Sequence, residues 1–254
     1  MPDSPHPSIR WAFSLRTGGV SRGVWAGTPS RADGLNLGSN CGDDPGHVAQ
    51  NRQRIADFIG QPVSWLAQVH GRQVFDLDVQ EHPLRSVQAA AEADAQVCSR
   101  PGIALAVLVA DCLPVLLADR QGRVIGAAHA GWRGLAGGVL EATVQRMCSH
   151  ADVDDLVAWL GPCIGPAAFE VGDDVLDAFL ASDAGARTAF RPGAEPGKWW
   201  ADLPLLARRR LSASGVGRII DSHACTCSDP TRFYSYRRDH GACGRMAGLI
   251  WFAG

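Results

Sequence analysis

The stretch RVIGAAHAGWRGLAGGVLEATVQRM, residues 123–147, contains in 25 residues a strand, a corner and a helix. Residues 123–128 are mostly apolar and of strand length, and they end on His129. The glycine-bounded corner Gly131-Trp-Arg-Gly134 follows. From Leu135, the residues Val139, Leu140, Val144 and Met147 recur at helical spacing, so a helix is predicted to start near Leu135. A strand that turns directly into a helix calls for mixed α and β layers, with chemistry at the strand end.

Working outward, residues 103–109 form a continuous apolar run ending at Ala110-Asp111-Cys112. Residues 115–118, the turn 119–122 and residues 123–128 read as a hairpin, and 154–160 as a further strand leading into the loop Gly161-Pro-Cys-Ile-Gly165. Residues 63–69 read as a strand delivering His70 to a turn at Gly71. A helix is expected over 45–59, capped by Asp44, opened by Pro45 and stopped by Gly60. Others are expected over 173–181 and 203–213, the second capped by Asp202 with Pro204 in its first turn. Residues 1–43 read as short strands joined by long loops. With no repeat and no linker, residues 1–254 are expected to form one domain.

Composition excludes several partners. A formal charge of −2 gives no broad basic field for nucleic acid or an anionic membrane surface. No apolar run approaches the roughly 20 residues that span a bilayer. The opening MPDSPHPSIRWAF lacks the apolar core of a secretion signal, so the eight cysteines are expected to stay reduced in the cytoplasm.

Three strand ends carry metal-ligand chemistry: His70, Cys112 and His129. Two imidazoles and a thiolate leave one tetrahedral position open, the pattern of a catalytic zinc; the alternative is a buried cysteine with hydrogen-bonded core histidines. The corner at Trp132 and Arg133 offers backbone N–H groups beside a guanidinium, an anion pocket if it is not an ordinary surface turn. Gly131 and Gly134 can be read as satisfying turn geometry. Arg52 lies about 40° from Val48 around the helix, within the inward stripe of Val48, Ile55 and Ile59. It needs either a carboxylate partner or a ligand anion.

Longer motifs add a resemblance. QVHG at 68–71, EADA at 92–95, ADCLPVLL at 110–117, HAGWRGLAGGVLE at 129–141, GPCIG at 161–165, FEVG at 169–172, FYSYRRD at 233–239 and Gly244-Arg245 resemble the YfiH-like family. RTGGVS, NLG, GDD and NR between residues 16 and 52 match as well. That family carries two labels, laccase-like multicopper polyphenol oxidase domain and purine nucleoside phosphorylase. The resemblance implies an α+β fold, a layered α-β-β-α sandwich shared with a group of cysteine hydrolases, and a cytoplasmic enzyme. It implies a metal on His70, Cys112 and His129, zinc first and copper as the alternative. The sequence departs from the pattern in an insertion-like AGTPSRADG at 26–34 and in Cys243, where a threonine commonly stands.

The resemblance implies zinc-dependent phosphorolysis of adenosine, inosine or methylthioadenosine, with adenosine deamination as a side activity. Arg52, Arg133 and Arg245 are then the phosphate candidates, and Trp132 and Phe169 the purine-facing surfaces. Asp111, Asp94 and Glu170 are candidates for the ribose or leaving base, or else structural ion-pair partners; Cys112, His129 and Asp111 are the catalytic candidates. The alternative from another class is a Cys112–His129 hydrolase acting on an amide, such as a cytosolic peptidoglycan precursor. Four-copper oxidase chemistry is disfavoured, because no two of the eight histidines are two residues apart. A blue-copper site would further need an axial methionine from Met1, Met147 or Met246. The H-x-E and P-C-x-x-C pair of cytidine-type deaminases is absent. Cys163 and Cys225 read as buried thiols, and Cys227 and Cys243 receive no role. The expected partners are a purine nucleoside and phosphate, with the chain a monomer or small homo-oligomer.

Overall fold

The computed structural model describes residues 4–27, 33–79 and 90–253. Its organisation follows from strands buried on both faces. In Leu113–Asp119, Leu113, Val115 and Leu117 enter one core while Leu116 and Ala118 enter another. Ile125–Ala130 divides likewise, Ala128 and Ala130 to one side and Ile125 and Ala127 to the other. Side chains alternate with period two, so a strand apolar at every position must be covered on both sides.

The larger sheet runs in the order Arg218–Asp221, Leu156–Leu160, Leu113–Asp119, Ile125–Ala130, Ala95–Cys98 and Val74–Asp76, antiparallel at its centre and parallel at both edges. The smaller is Ile9–Phe13, Met246–Phe252, Ala104–Val109 and Val63–Ser64. Between them Ile9, Leu105, Val107 and Ile250 pack with Leu116, Ile125, Ala127 and Trp159. On the outer face of the smaller sheet, Ile55 of the helix Pro45–Ile59 meets Ala106, Ala247 and Leu249. On the outer face of the larger lie helices Val139–Met147, Asp173–Leu180 and Leu203–Ala213. These are the layers α-β-β-α.

The first helix forms where its signals place it: the Asp44 carboxylate accepts from the Gly46 and His47 N–H groups, and Gly60 ends it at φ 77°. Three expectations change. The segment over 63–69 is two short strands, Val63–Ser64 and Leu66–Ala67, paired in different sheets. The hairpin is longer than expected, its register running from Ile125 opposite Ala118 to Ala130 opposite Leu113. The helix after His129 begins at Trp132 rather than Leu135, runs to Ala136, and resumes at Val139 after Gly138 takes φ 94°. The insertion-like segment lies partly outside the described residues, as does Met1.

Candidate metal centre

The hairpin carries His129 at the end of Ile125–Ala130, opposite Pro114, and so beside Cys112 at the start of the partner strand. Ala95 pairs with Ala128, which brings the preceding residue, Asp94, under the His129 ring. His129 Nδ1 lies 2.8 Å from Asp94 Oδ1, and the pair is buried. The same carboxylate accepts three backbone N–H groups: His70 at 2.9 Å on Oδ1, and Gly71 at 2.6 Å and Val69 at 3.2 Å on Oδ2. His70 is thereby held in the left-handed region at φ 61°. Its ring meets that of His129 edge-on at 4.8 Å, and its Nε2 lies 3.9 Å from Cys112 Sγ.

The ligand atoms of His70, Cys112 and His129 lie within 4.8 Å of one another, the one such group of three among the described residues. With His129 Nδ1 engaged by Asp94, Nε2 is left for a ligand. Burial pushes the Cys112 thiol up, but His129 and then His70 outweigh it and bring the pKa down to about 6. Burial lowers the His129 imidazole, and the Cys112 sulfur and Asp94 more than offset this, raising it to about 9. Once a metal displaces the proton on His129 Nε2, a thiolate between two imidazoles is the donor set that zinc or copper takes, and three protein donors leave room for a further ligand. The residues fit such an ion.

The flanking glycines serve this packing rather than a turn. Gly131 has φ −64°, open to any residue, yet a Cβ there would stand 3.0 Å from both Cys112 Sγ and His70 Cδ2. A Cβ on Gly134 would stand 2.7 Å from the Gly71 carbonyl oxygen. The first turn of the helix at Trp132 can therefore press against the ligands and the His70 loop.

The centre faces a cleft of ≈ 540 Å³, within the range of small-molecule sites. Leu66, Leu108, Val109 and Ile164 give it apolar walls, and Trp132, Phe169 and Tyr236 give it aromatic ones. Three guanidiniums line it: Arg133 is 4.4 Å from the Trp132 ring centroid, Arg237 is 5.6 Å from that of Phe169 and Arg245 is 5.7 Å from that of Tyr236. Arg237 donates to the Ala168 and Glu170 carbonyls, and Arg245 to those of Cys243 and Gly244. Among the described residues no carboxylate pairs with any of the three, so their charge is available to an anion.

Comparison with known proteins places the chain. A family described as multi-copper polyphenol oxidoreductase laccase matches residues 10–253. The chain belongs to this family. A Pseudomonas aeruginosa member named purine nucleoside phosphorylase is 47% identical over 98% of this chain and 96% of its own length. Escherichia coli K12 YfiH, also named purine nucleoside phosphorylase, is 44% identical over 99% of this chain and 97% of its own. The crystal structure of a Neisseria meningitidis protein is 43% identical, covers 99% of this chain and 98% of that one, and has a TM-score of 0.89. YlmD from Geobacillus stearothermophilus is 28% identical at TM-score 0.86, over 99% and 94% of the two chains.

Within this laccase-like YfiH family the expected site residues divide. The structure brings His70, Cys112, His129, Asp111, Trp132, Arg133, Phe169 and Arg245 to one cleft. Asp111 lines it with its carboxylate engaged: it accepts from Thr226 Oγ1, Ser235 Oγ and the Arg237 backbone N–H at 2.6, 2.9 and 2.7 Å. It is built as a clamp on the C-terminal loops. Asp94 stands behind the ligands, fully buried, where no ribose reaches it. Glu170 lies outside the lining. So does Arg52, whose Nε donates to the Leu37 carbonyl at 2.9 Å and whose guanidinium lies 4.5 Å from the Trp65 ring centroid. Neither expected partner, carboxylate or ligand, is what it meets. Met147 and Met246 are buried in apolar clusters and do not line the cleft. Cys163 is buried, its thiol pushed well up by that burial, and Cys225 Sγ accepts from the Gly165 N–H. Arg237 and Tyr236 are among the cleft residues that sequence reasoning passed over, although both sit in the FYSYRRD motif.

Proposed function

We propose that the chain is a metal-dependent purine nucleoside phosphorylase, converting adenosine, inosine or methylthioadenosine with phosphate to the free base and sugar 1-phosphate. The observation that carries this is the His70–Cys112–His129 group opening on a cleft with three guanidiniums unpaired by any carboxylate. The relatives' names agree with it. In the reaction the C1′–N9 bond breaks through an oxocarbenium-like state, its electron pair passes to the purine, and a phosphate oxygen bonds C1′. Arg133, Arg237 and Arg245 hold the phosphate, and the faces of Trp132, Phe169 and Tyr236 take the purine and exclude water. Zinc, or copper in its place, bound by His70, Cys112 and His129 would supply Lewis acidity on the wall of the cleft. Adenosine deamination is a side activity of the same centre. Residues 1–254 act as one domain in the cytoplasm, as a monomer or small homo-oligomer; no described helix is long and apolar enough to cross a membrane.

A second assignment is favoured by one observation. Cys112, its thiol brought down to about 6, stands beside a His129 that Asp94 orients, the order of groups in a thiol hydrolase. Chromatography of adenosine and inosine incubations, with and without phosphate, tests the first. Base and ribose 1-phosphate appearing only with phosphate supports the phosphorylase. Base released without phosphate refutes it. Inosine formed from adenosine reports the side activity.

A further inference from the structure

We infer that Asp94 is the positioning residue of the metal centre, one carboxylate that sets both histidine ligands at once. The inference rests on the metal assignment above and concerns the chain's own bonds. Oδ1 takes His129 Nδ1 at 2.8 Å and the His70 N–H at 2.9 Å, while Oδ2 takes the N–H groups of Gly71 and Val69. Each bond needs an acceptor, and an ionised carboxylate is the side chain with no donor to misplace. Accepting from Nδ1–H fixes the His129 tautomer with the Nε2 lone pair free for a ligand. The N–H bonds at 69–71 hold His70 at φ 61°, a backbone state that a non-glycine residue keeps only when its surroundings enforce it. The Asp94 carbonyl oxygen also accepts the His129 N–H at 2.7 Å, so the carboxylate is anchored to the strand that carries one ligand while it cradles the loop that carries the other.

An asparagine at this position offers one acceptor oxygen for both roles. If its oxygen serves the loop, its NH2 group faces Nδ1, which must then accept, and the His129 proton moves to Nε2, where a metal must bind. If its oxygen serves His129 it keeps the His70 N–H as well, but the NH2 group then faces the N–H groups of Val69 and Gly71, and the loop that carries His70 loses two of its three bonds. Either arrangement weakens the centre without removing a ligand.

The test is zinc affinity, measured by competition with a chromophoric chelator on the full chain stripped and reloaded. Asp94→Asn is expected to bind zinc about 10–100-fold more weakly than the wild type. Asp119→Asn, which alters an equally buried carboxylate at the far end of the hairpin strand, is expected to leave affinity unchanged. Equal affinities for wild type and a folded Asp94→Asn overturn the inference. A parallel loss in Asp119→Asn also overturns it, since the effect would then be general loosening. Should Asp94→Asn fail to fold, the 15N spectrum of the zinc-loaded wild type decides: His129 ligating through Nε2 with Nδ1 protonated supports the inference, and ligation through Nδ1 overturns it. A folded wild type that takes no zinc overturns the metal assignment itself, a different result from equal affinities.

Discussion

Gly131→Ala adds one methyl group where the ligands converge. The new Cβ would lie 3.0 Å from Cys112 Sγ, 3.0 Å from His70 Cδ2 and 3.7 Å from His129 Cε1. A contact of 3.0 Å is closer than a Cβ ordinarily makes, so the nearer two ligands must withdraw by a few tenths of an ångström. Metal–ligand distances tolerate about 0.2 Å. The loss in zinc affinity is therefore expected to be at least about tenfold, or about 1.4 kcal/mol. The backbone supplies little of the effect, because φ −64° and ψ 157° suit alanine. Alanine at this helix cap costs about 1 kcal/mol or less, which moves the melting temperature by about 2–4 °C. Zinc competition and thermal melts of the chelator-stripped protein separate the two effects. Unchanged zinc affinity in a folded Gly131→Ala would refute the claim that this glycine exists to let the ligands meet.

Arg52→Met removes a hydrogen bond to Leu37 and a contact with the Trp65 ring, so it is expected to lower stability by about 1–3 kcal/mol with phosphate KM unchanged; a KM rise without a melting shift would return Arg52 to the site. Arg133→Met, exposed and unpaired, is expected to do the reverse, raising phosphate KM several-fold with melting unchanged, and initial rates against phosphate check it. Asp119 is buried and bonded to the Arg123 N–H, Nε and a terminal nitrogen; burial alone would raise its pKa, but these bonds lower it below the usual carboxylate value. The stability it contributes is present above about pH 4 and lost as pH falls through the depressed folded value. Asp119→Asn is therefore expected to flatten the acid limb of a stability–pH profile, and an unchanged limb would contradict this.

What the sequence revealed depended on how local the determinant was. The helix Pro45–Ile59 was legible because its cap, its proline and its terminal glycine all lie within its own span. Cys112 and His129 were legible at the ends of apolar runs, whereas His70 stands on the loop beyond the short strand Leu66–Ala67 rather than at the end of the longer strand expected over 63–69. The layering was not legible. In Leu113–Asp119 every position is buried and the one charged residue, Asp119, stands at its end, so no polar–apolar alternation marks which face meets the second sheet, and only the family resemblance supplied the sandwich. For Asp94 the sequence could not choose between substrate contact and ion-pair partner, for a related reason. Its role depends on the pairing of Ala95 with Ala128, which nothing in EADA announces. Gly131 and Gly134 invited a turn reading because their true cause, the approach of Cys112, His70 and Gly71, lies 19 to 63 residues away in sequence. Helical period correctly turned Arg52 inward, but it could not show that a carbonyl oxygen and an indole waited there.

The central claim is that His70, Cys112 and His129 make one metal centre. Elemental analysis with X-ray absorption on the purified protein tests it most directly. One zinc or copper per chain is expected, with one sulfur and two imidazole nitrogens in its shell, and with the metal lost in Cys112→Ala. A shell without sulfur, or metal retained undiminished in folded Cys112→Ala, would contradict the account.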